Sequence, residues 1–88
     1  MTIVHRLTGY DNQTERLAVE HDIPASKLKH AKEVACIPYE DMDATGSYQL
    51  NTGQARDIAM LVHKRIDVDR YSWFLEPFHE SDAEDTAA

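Results

Sequence analysis

The sequence predicts an α+β fold: a small, mainly antiparallel sheet in the order strand, strand, helix, helix, strand, with the two helices packed on one face. Three observations support this fold: alternating apolar residues in two N-terminal segments, two stretches with apolar residues at helical spacing, and an aromatic segment near the C-terminus. A chain of 88 residues is long enough for one domain. We therefore predict a single domain over residues 1–78 and an acidic, disordered tail over residues 79–88.

The first two predicted strands, residues 3–10 and 15–23, form a hairpin. Asp11 and Asn12 favour a turn between them, because their side chains bond to nearby backbone and tolerate left-handed angles. One face of the hairpin is apolar, as expected when a hairpin is buried on one side. The opposite face is mostly polar and carries Arg6, Thr8, Arg16 and Glu20, with Val4 and Ala18 as apolar exceptions.

A register that places Leu7 opposite Val19 also places His5 opposite His21, on the apolar face. Two imidazoles across an antiparallel pair can reach one metal ion. A structural zinc site needs four ligands, and the other candidates have no motif spacing. These candidates are His30, Cys36 and His79. We therefore predict partly buried histidines and no metal site.

Two helices follow the hairpin. Ser26 is suited to cap the first helix, which we expect to run to about Ala35. Asn51, with Gln54 three residues later, has the pattern of a capping box, so the second helix begins there and runs to about Arg65. Apolar residues recur at intervals of three and four in both segments, which gives each helix one face to bury.

The segment DRYSWFLEPF, residues 69–78, predicts the last long strand. Alternate residues fall on opposite sides of it: Tyr71, Trp73 and Leu75 on one side, Ser72 and Phe74 on the other. Pro77 is expected to end the hydrogen-bond ladder, because proline has no amide hydrogen. A short extended piece at residues 47–50 is a candidate for a fourth strand. The pattern leaves open whether the last strand is central or lies at an edge.

The net charge of −7 is concentrated near the C-terminus. Five of the 16 acidic residues follow Leu75, which leaves 11 acids against nine lysines and arginines in the rest of the chain. A chain without a net basic surface is not suited to generic binding of nucleic acid or anionic membranes. The one basic cluster is typical of a solvated helix face. It consists of Lys27, Lys29 and Lys32.

The sequence also predicts a cytoplasmic protein. Its first residues have none of the features of a secretory signal peptide, and no apolar run approaches the roughly 20 residues of a membrane span. Cys36 is the single cysteine, so it cannot form an internal disulfide, whereas small secreted domains are often held together by several.

The loop between the helices contains Asp41 and Asp43 in an Asp-x-Asp-x-Thr-Gly sequence. This spacing is also that of the nucleophile loop of haloacid-dehalogenase-type phosphatases, but Pro38 interrupts the buried strand that such a loop follows. It matches the first half of a calcium loop too, but the twelfth position is Thr52 instead of a bidentate glutamate. We therefore interpret the segment as a surface turn.

No sequence motif indicates catalysis or a cofactor. The three glycines, Gly9, Gly46 and Gly53, are too few and too scattered for a phosphate-binding loop. Cys36 follows an apolar helix end without an identifiable base, and we interpret it as a small core residue. We predict that the protein is not an enzyme and uses no cofactor.

From SYQLN to WFLEP, the chain resembles a family of small bacterial proteins of unknown function. Members open with a hairpin similar to GYDNQTERLAVEHDIP and close with a Tyr-x-Leu pair, a capped helix and an Asp-x-Asp-x-Tyr-x-x-Phe-Leu strand. The matching positions here are Tyr48, Leu50, the helix from Asn51, Asp67, Asp69, Tyr71, Phe74 and Leu75. The resemblance implies a compact α+β domain and transfers no catalytic residue.

Small size, acidity and the lack of catalytic motifs favour a non-enzymatic protein-interaction module, such as an inhibitor, an immunity-type protein or an accessory subunit. Charge steering favours a basic protein as the partner, and the chain itself is expected to be a monomer or a homodimer. If the last strand lies at an edge, the predicted partner-binding residues are Trp73, Phe74, Glu76, Phe78 and Glu80.

Two alternatives stay open at this point. One is a small-ligand or metal-sensing domain that uses the cross-strand pair His5 and His21. The other is an enzyme whose site is assembled between subunits.

Overall fold

The computed structural model describes residues 2–41 and 44–80, which form one antiparallel sheet and two helices. The strands are β1 (Thr2–Asp11), β2 (Leu17–Ile23), β3 (Tyr48–Leu50) and β4 (Tyr71–Glu80), and the helices are α1 (Ala25–Val34) and α2 (Thr52–Leu61). A single 3-10 turn, Tyr39–Asp41, lies between α1 and β3. The sheet order is β2-β1-β4-β3, and each neighbouring pair is antiparallel. The predicted α+β fold is confirmed.

Both helices pack on one face of the sheet, here called the inner face. Leu7 and Leu75 lie opposite each other on this face and are fully buried. They share one apolar cluster with Ile58 of α2 and Ala31 of α1. Burial of a leucine side chain contributes roughly 1.5–3 kcal/mol, so this layer is a main source of the stability of the fold.

The hairpin register differs from the predicted one by two residues. Leu7 lies opposite His21 instead of Val19, and His5 lies opposite Ile23. Because side chains alternate with a period of two, a shift of two residues leaves each side chain on its predicted face. The predicted pairing of His5 with His21 is therefore wrong, and the two histidines are diagonal neighbours on the inner face.

The turn between β1 and β2 is organised by Asp11. Its Oδ1 accepts hydrogen bonds from the backbone N–H groups of Gln13 at 2.8 Å and Thr14 at 3.1 Å. These bonds, led by that from Gln13, lower the pKa of the Asp11 carboxyl. Glu15 follows with a left-handed φ of 62°, and β2 begins only at Leu17. The turn formers were thus identified from the sequence, but the number of turn residues was underestimated.

Helix α1 begins differently from the prediction. Pro24 is its N-cap residue and makes no side-chain cap bond, while Ser26 lies inside the first turn. Because the ring of proline fixes φ near the helical value and removes an amide donor, the helix can start there without a hydroxyl cap. The predicted cap by Ser26 is therefore wrong.

The predicted capping box of α2 is confirmed. Asn51 Oδ1 accepts from the Gln54 backbone N–H at 2.8 Å, and Gln54 Oε1 accepts from the Asn51 backbone N–H at 2.9 Å. The helix ends at Leu61, earlier than the predicted Arg65. His63 adopts a left-handed φ of 57°, and its amide turns back to a helix carbonyl, which closes the last turn.

Strand β4 is an interior strand over only part of its length. It pairs with β1 throughout, whereas β3 covers only Trp73, Phe74 and Leu75 on the other side. Pro77 lies within the strand, opposite His5, so the prediction that it ends the ladder is wrong. A proline is tolerated there because β3 has already ended, and the nitrogen without a hydrogen can face the uncovered side.

Strand β4 extends to Glu80, so residues 79 and 80, assigned to the tail from the sequence, belong to the sheet. The rest of the predicted tail, residues 81–88, lies outside the described residues. In the ranges 2–41 and 44–80, no helix combines the length and the apolar character needed to cross a bilayer.

Candidate functional site

The face of the sheet opposite the helices, here called the outer face, carries the polar side chains of the strands. Because α1 and α2 both pack on the inner face, no described helix covers it. Its residues include Val4, Arg6, Thr8 and Tyr10 of β1, Glu20 and Asp22 of β2, Gln49 of β3, and Ser72, Phe74, Glu76 and Phe78 of β4. The sequence prediction that Arg6, Thr8 and Glu20 share the polar face is confirmed. Arg16, predicted on the same face, precedes β2 and is not part of the strand.

The Glu76 carboxylate is held by hydroxyl groups from separate parts of the chain. Its Oε1 accepts from Thr8 Oγ1 at 2.6 Å and from the Tyr10 hydroxyl at 2.8 Å. Its Oε2 accepts from Ser47 Oγ at 2.8 Å. Hydrogen bonds to a charged acceptor are stronger than those between neutral groups, so they fix the orientation of this carboxylate. The bond to Glu76, together with partial burial, raises the pKa of the Tyr10 phenol.

Arg6 is held on the same face by an aromatic ring and two carboxylates. Its Cζ lies 4.8 Å from the centre of the Phe78 ring. Its Nη1 is 3.0 Å from Glu20 Oε1, and its Nε is 2.8 Å from Asp22 Oδ1. A planar guanidinium can stack flat on a ring while its in-plane N–H groups pair with carboxylates, whereas an ammonium group has no plane to stack.

A groove of about 320 Å³ opens on the outer face near the β1–β2 turn. The rings of Tyr10 and Phe74 form an edge-to-face pair beside it, with centroids 5.4 Å apart. We call it the Glu76 groove. Its lining residues are Tyr10, Asp11, Asn12, Glu15, Ser72, Phe74 and Glu76, of which three are acidic and none is basic.

The five predicted partner-binding residues do not form one surface. Trp73 is only 3% exposed and lies in the core on the inner face, so its prediction as a contact residue is corrected. Phe74, Glu76 and Phe78 are half-buried on the outer face, where they stay predicted contacts. The backbone of Glu80 pairs with Thr2.

The predicted partner-binding residues depended on β4 being an edge strand, and β4 is an edge strand over only part of its length. On the side away from β1, β4 is paired with β3 only at Trp73, Phe74 and Leu75, and Pro77 interrupts the row of amide donors beyond Leu75. Within the described residues, β2 and β3 are the edge strands, each with one whole side unpaired. Addition of a partner strand to β4 is therefore less suited to this sheet than contact with its outer face.

The two histidines considered as metal ligands have different surroundings. His5 is buried, and its Nε2 lies 3.1 Å from the carbonyl oxygen of Ala44. Burial, and to a smaller extent the charge of Lys64, lower the pKa of His21. No group of three or more histidine, cysteine, aspartate or glutamate residues suited to a metal ion occurs in the described part of the chain.

Asp41 organises the loop that the sequence predicted as a surface turn. Its Oδ1 accepts from the backbone N–H of Thr45 at 2.9 Å and from the hydroxyl of Thr45 at 2.7 Å. Its Oδ2 accepts from the Gly46 N–H at 3.1 Å and from the Tyr48 hydroxyl. These donors, led by Tyr48, hold the pKa of Asp41 well below its ordinary value. The Asp41 carboxylate thus accepts hydrogen bonds from its own loop and stabilises it. Asp43 lies outside the described residues.

Cys36 is exposed and unpaired, so its prediction as a core residue is wrong. It follows α1 with a left-handed φ of 57°. Its neighbour Ala35 fills the core position at this end of the helix instead, with 8% of its surface exposed.

The sequence does not predict the hydroxyl donors around Glu76. Thr8 could be placed on the polar face by alternation, but Tyr10 and Ser47 lie 66 and 29 positions from Glu76. The usable signal is that Thr8 and Tyr10 alternate on the side of β1 that faces away from the apolar residues. An acidic residue on a neighbouring strand meets both hydroxyls only in one register.

The sequence profile of one protein family matches residues 4–76, and this family is described as Domain of unknown function (DUF7683). The matched range includes both helices and all the residues that hold Glu76. No curated protein matches the chain significantly. No solved structure matches it significantly either.

Proposed function

The chain belongs to the DUF7683 family, a domain of unknown function, and we propose that it is a non-enzymatic protein-interaction module whose outer face binds a basic partner protein. The observation that carries this proposal is the outer face itself. It is uncovered by the described helices, and its carboxylates are held in place by neighbouring strands.

The charge of this face supports a basic partner. On the outer side of the described strands, Arg6 is the one basic residue, against the acidic residues Glu20, Asp22 and Glu76. The groove adds Asp11 and Glu15 at its turn end. A surface of one predominant sign steers an oppositely charged protein toward it and disfavours partners of like charge.

The aromatic residues of the face supply the apolar part of a contact. Phe74 and Phe78 are half-buried, and each is supported by a neighbour, Tyr10 and Arg6 respectively. Rings that are already fixed lose little conformational freedom when a partner binds. Aromatic residues with charged residues around them are the usual composition of the energetically important part of an interface.

The proposal includes no chemical step. Ser72 is the hydroxyl-bearing residue that lines the groove apart from Tyr10, and its Oγ donates to Asn12 Oδ1 at 2.6 Å. An amide oxygen does not accept a proton from serine at neutral pH, so this pair lacks the base that activates a nucleophile.

We also propose a bacterial source and a cytoplasmic location. The first follows from the resemblance carried by the segment Asp67 to Leu75. In this segment Asp67 Oδ1 accepts from the N–H groups of Asp69 and Arg70, and its carbonyl accepts from Trp73 Nε1 at 3.1 Å. The motif thus shapes the entry to β4. The second follows from the single, unpaired cysteine.

Site-specific photo-crosslinking in the native host tests this function. A photoreactive residue is placed at Gln49, exposed on the outer face, and in a matched variant at Lys29, exposed on α1. We expect a discrete protein adduct from position 49 and none from position 29. Equal adducts from both positions, or an adduct from position 29 alone, contradict the proposal.

The captured protein is then purified, and its affinity for the purified chain is measured by calorimetry at two salt concentrations. We expect binding to weaken with salt, because exposed charges are screened beyond about 10 Å at 0.1 M. Gln49→Lys should weaken it about tenfold or more, whereas Met60→Lys, on the exposed side of α2, should not. Affinity that is insensitive to salt and to Gln49→Lys contradicts a basic partner on this face.

A further inference from the structure

The Glu76 groove indicates what part of a partner the outer face recognises. We propose that it binds the guanidinium group of an arginine side chain of the partner protein. This inference rests on the proposed function and adds the chemistry of the recognised group. The groove is at the small end of ligand pockets, which run from about 300 to 1,000 Å³, so it suits one side chain better than a cofactor.

The Glu76 carboxylate, on which the proposal depends, has a fixed orientation and can accept a further hydrogen bond. Glu76 Oε1 accepts two of the described hydrogen bonds, from Thr8 and Tyr10, and Oε2 accepts one, from Ser47. Each carboxylate oxygen can accept about two, so Oε2 has a lone pair for a further donor. All three described partners are neutral hydroxyls, and in the described residues no lysine or arginine forms an ion pair with this carboxylate.

The aromatic wall of the groove favours a flat cation. The rings of Tyr10 and Phe74 stand nearly perpendicular to each other, at 88°, and both residues line the groove. A cation is attracted to the negative face of a ring, and a guanidinium can stack there while its N–H groups point at a carboxylate. An ammonium group makes only one of these contacts well.

The outer face already contains the same arrangement once. Arg6 lies over the Phe78 ring at 4.8 Å and pairs with the carboxylates of Glu20 and Asp22. The Glu76 groove repeats the combination of ring and carboxylates with Phe74 and Glu76, but its lining residues include no cation. The groove therefore has the ring and the carboxylate of such a contact, and the guanidinium would come from the partner protein.

The charges around the groove favour the binding of a cation. Asp11 and Glu15 lie at the rim, and both are acidic. Arg70 lines a neighbouring hollow together with Asp11 and contributes to the lowered pKa of that carboxyl. It offsets part of the negative charge at the rim, but Glu15 and Glu76 face the groove from the turn and from β4.

The test uses the full chain and short peptides as probes. Side-chain NMR resonances of Tyr10 and Phe74 are followed during titration with acetyl-Gly-Arg-Gly-amide and with the same peptide containing citrulline, which has the shape of arginine without its charge. We expect saturable shifts with the arginine peptide and at least about tenfold weaker binding of the citrulline peptide. Equal binding of the two peptides, or shifts confined to residues outside the groove, overturn the proposal.

Two further probes identify the source of the cation. A lysine peptide should bind more weakly than the arginine peptide, since it cannot stack and pair at once. Spermidine should bind no better than the lysine peptide. Tighter binding of spermidine than of the arginine peptide overturns the assignment to a protein side chain and identifies a small polyamine site.

Variants assign the binding to the groove. Phe74→Leu and Glu76→Gln should each weaken binding of the arginine peptide about fivefold or more, whereas Glu33→Gln, on the exposed side of α1, should leave it unchanged. Phe74→Leu leaves the hydroxyl cluster of Glu76 intact, so it remains informative if Glu76→Gln unfolds. Unchanged affinity in Phe74→Leu contradicts the proposal.

The outcomes separate this inference from the proposed function. Crosslinking from Gln49 to a basic protein, combined with no preference for arginine over citrulline, leaves the outer face as an interface and removes the arginine site. Arginine-selective binding in the groove without crosslinking from Gln49 supports the arginine site and contradicts the proposed interface on the outer face.

Discussion

Gly9 of β1 lies directly opposite Trp73 of β4, and the indole ring covers the glycine. A Cβ atom added to Gly9 would lie 2.9 Å from both Cη2 and Cζ3 of the ring. The ring cannot easily move away, because it is buried in the core and its Nε1 donates to the Asp67 carbonyl at 3.1 Å. A glycine within a strand is thus explained by close packing against an aromatic ring.

We predict that Gly9→Ala destabilises the fold by about 1–3 kcal/mol, because the added methyl overpacks the core. Urea denaturation monitored by tryptophan fluorescence measures this directly. Gly53→Ala is the matched control: its Cβ would meet only Asn51 Oδ1 at 3.5 Å, in the first turn of α2. That substitution should be neutral or stabilise by up to about 1 kcal/mol. Equal effects of the two substitutions would contradict this account.

Thr8 should contribute to stability through its hydroxyl. Thr8 is fully buried and donates to Glu76 Oε1 at 2.6 Å, so Thr8→Val keeps the shape of the side chain and removes a donor from a carboxylate. We expect a loss of about 1–3 kcal/mol in the free energy of unfolding. Ser47→Ala, which removes an exposed donor to the same carboxylate, should cost less than about 1 kcal/mol. A larger effect of the serine substitution would show that burial is not the deciding factor.

The hydrogen bond between Asp41 and Tyr48 lowers the pKa of the carboxyl and raises the pKa of the phenol. The hydrogen bond to Asp41 raises the pKa of the Tyr48 phenol, so Asp41→Asn should lower that pKa toward 10.0. Absorbance of tyrosinate during an alkaline titration, with Tyr48→Phe to identify the residue, checks this shift. An unchanged tyrosine titration in Asp41→Asn would contradict the coupling.

The Asp41 carboxylate should make the free energy of unfolding depend on pH in the acidic range. The pKa of Asp41 is lowered in the folded protein, so in the window below its ordinary value of 3.8 the unfolded chain binds more protons. The stabilisation from Asp41 is therefore present above that value and is lost as the pH falls below it. Asp41→Asn should show a weaker fall in melting temperature between pH 4 and acidic pH than the native chain, as measured by calorimetry.

His21 should add a second pH dependence at higher pH. Its pKa is lowered below the ordinary 6.5 by burial and, less strongly, by Lys64. As the pH falls below 6.5, the unfolded chain takes up the proton first, so the free energy of unfolding decreases. We expect His21→Gln to flatten the change in unfolding free energy between pH 7.5 and pH 5. An identical slope in the native chain and in His21→Gln would contradict this prediction.

The sequence predicted local features of this fold correctly where one short segment contains the whole cause. The capping box of Asn51 and Gln54 lies within four consecutive residues, and both of its bonds form. The alternation of β1 and β4 placed Arg6 and Thr8 on one face and Leu75 on the other, because the period of two is a property of the strand itself. Helix ends were less well predicted, since the left-handed residue His63 carries no signal comparable to a glycine.

Tertiary structure alone decided the order and register of the strands. Alternation determines which face a side chain takes, but a shift of two residues preserves that face, so the sequence could not distinguish the predicted pairing of His5 from the observed one opposite Ile23. The burial of Trp73 and the position of Pro77 beyond the end of β3 likewise depend on which strands flank β4. The hydroxyl cluster around Glu76 brings together Thr8 and Ser47 from distant segments, and such a meeting is a property of the packed sheet and of no single segment.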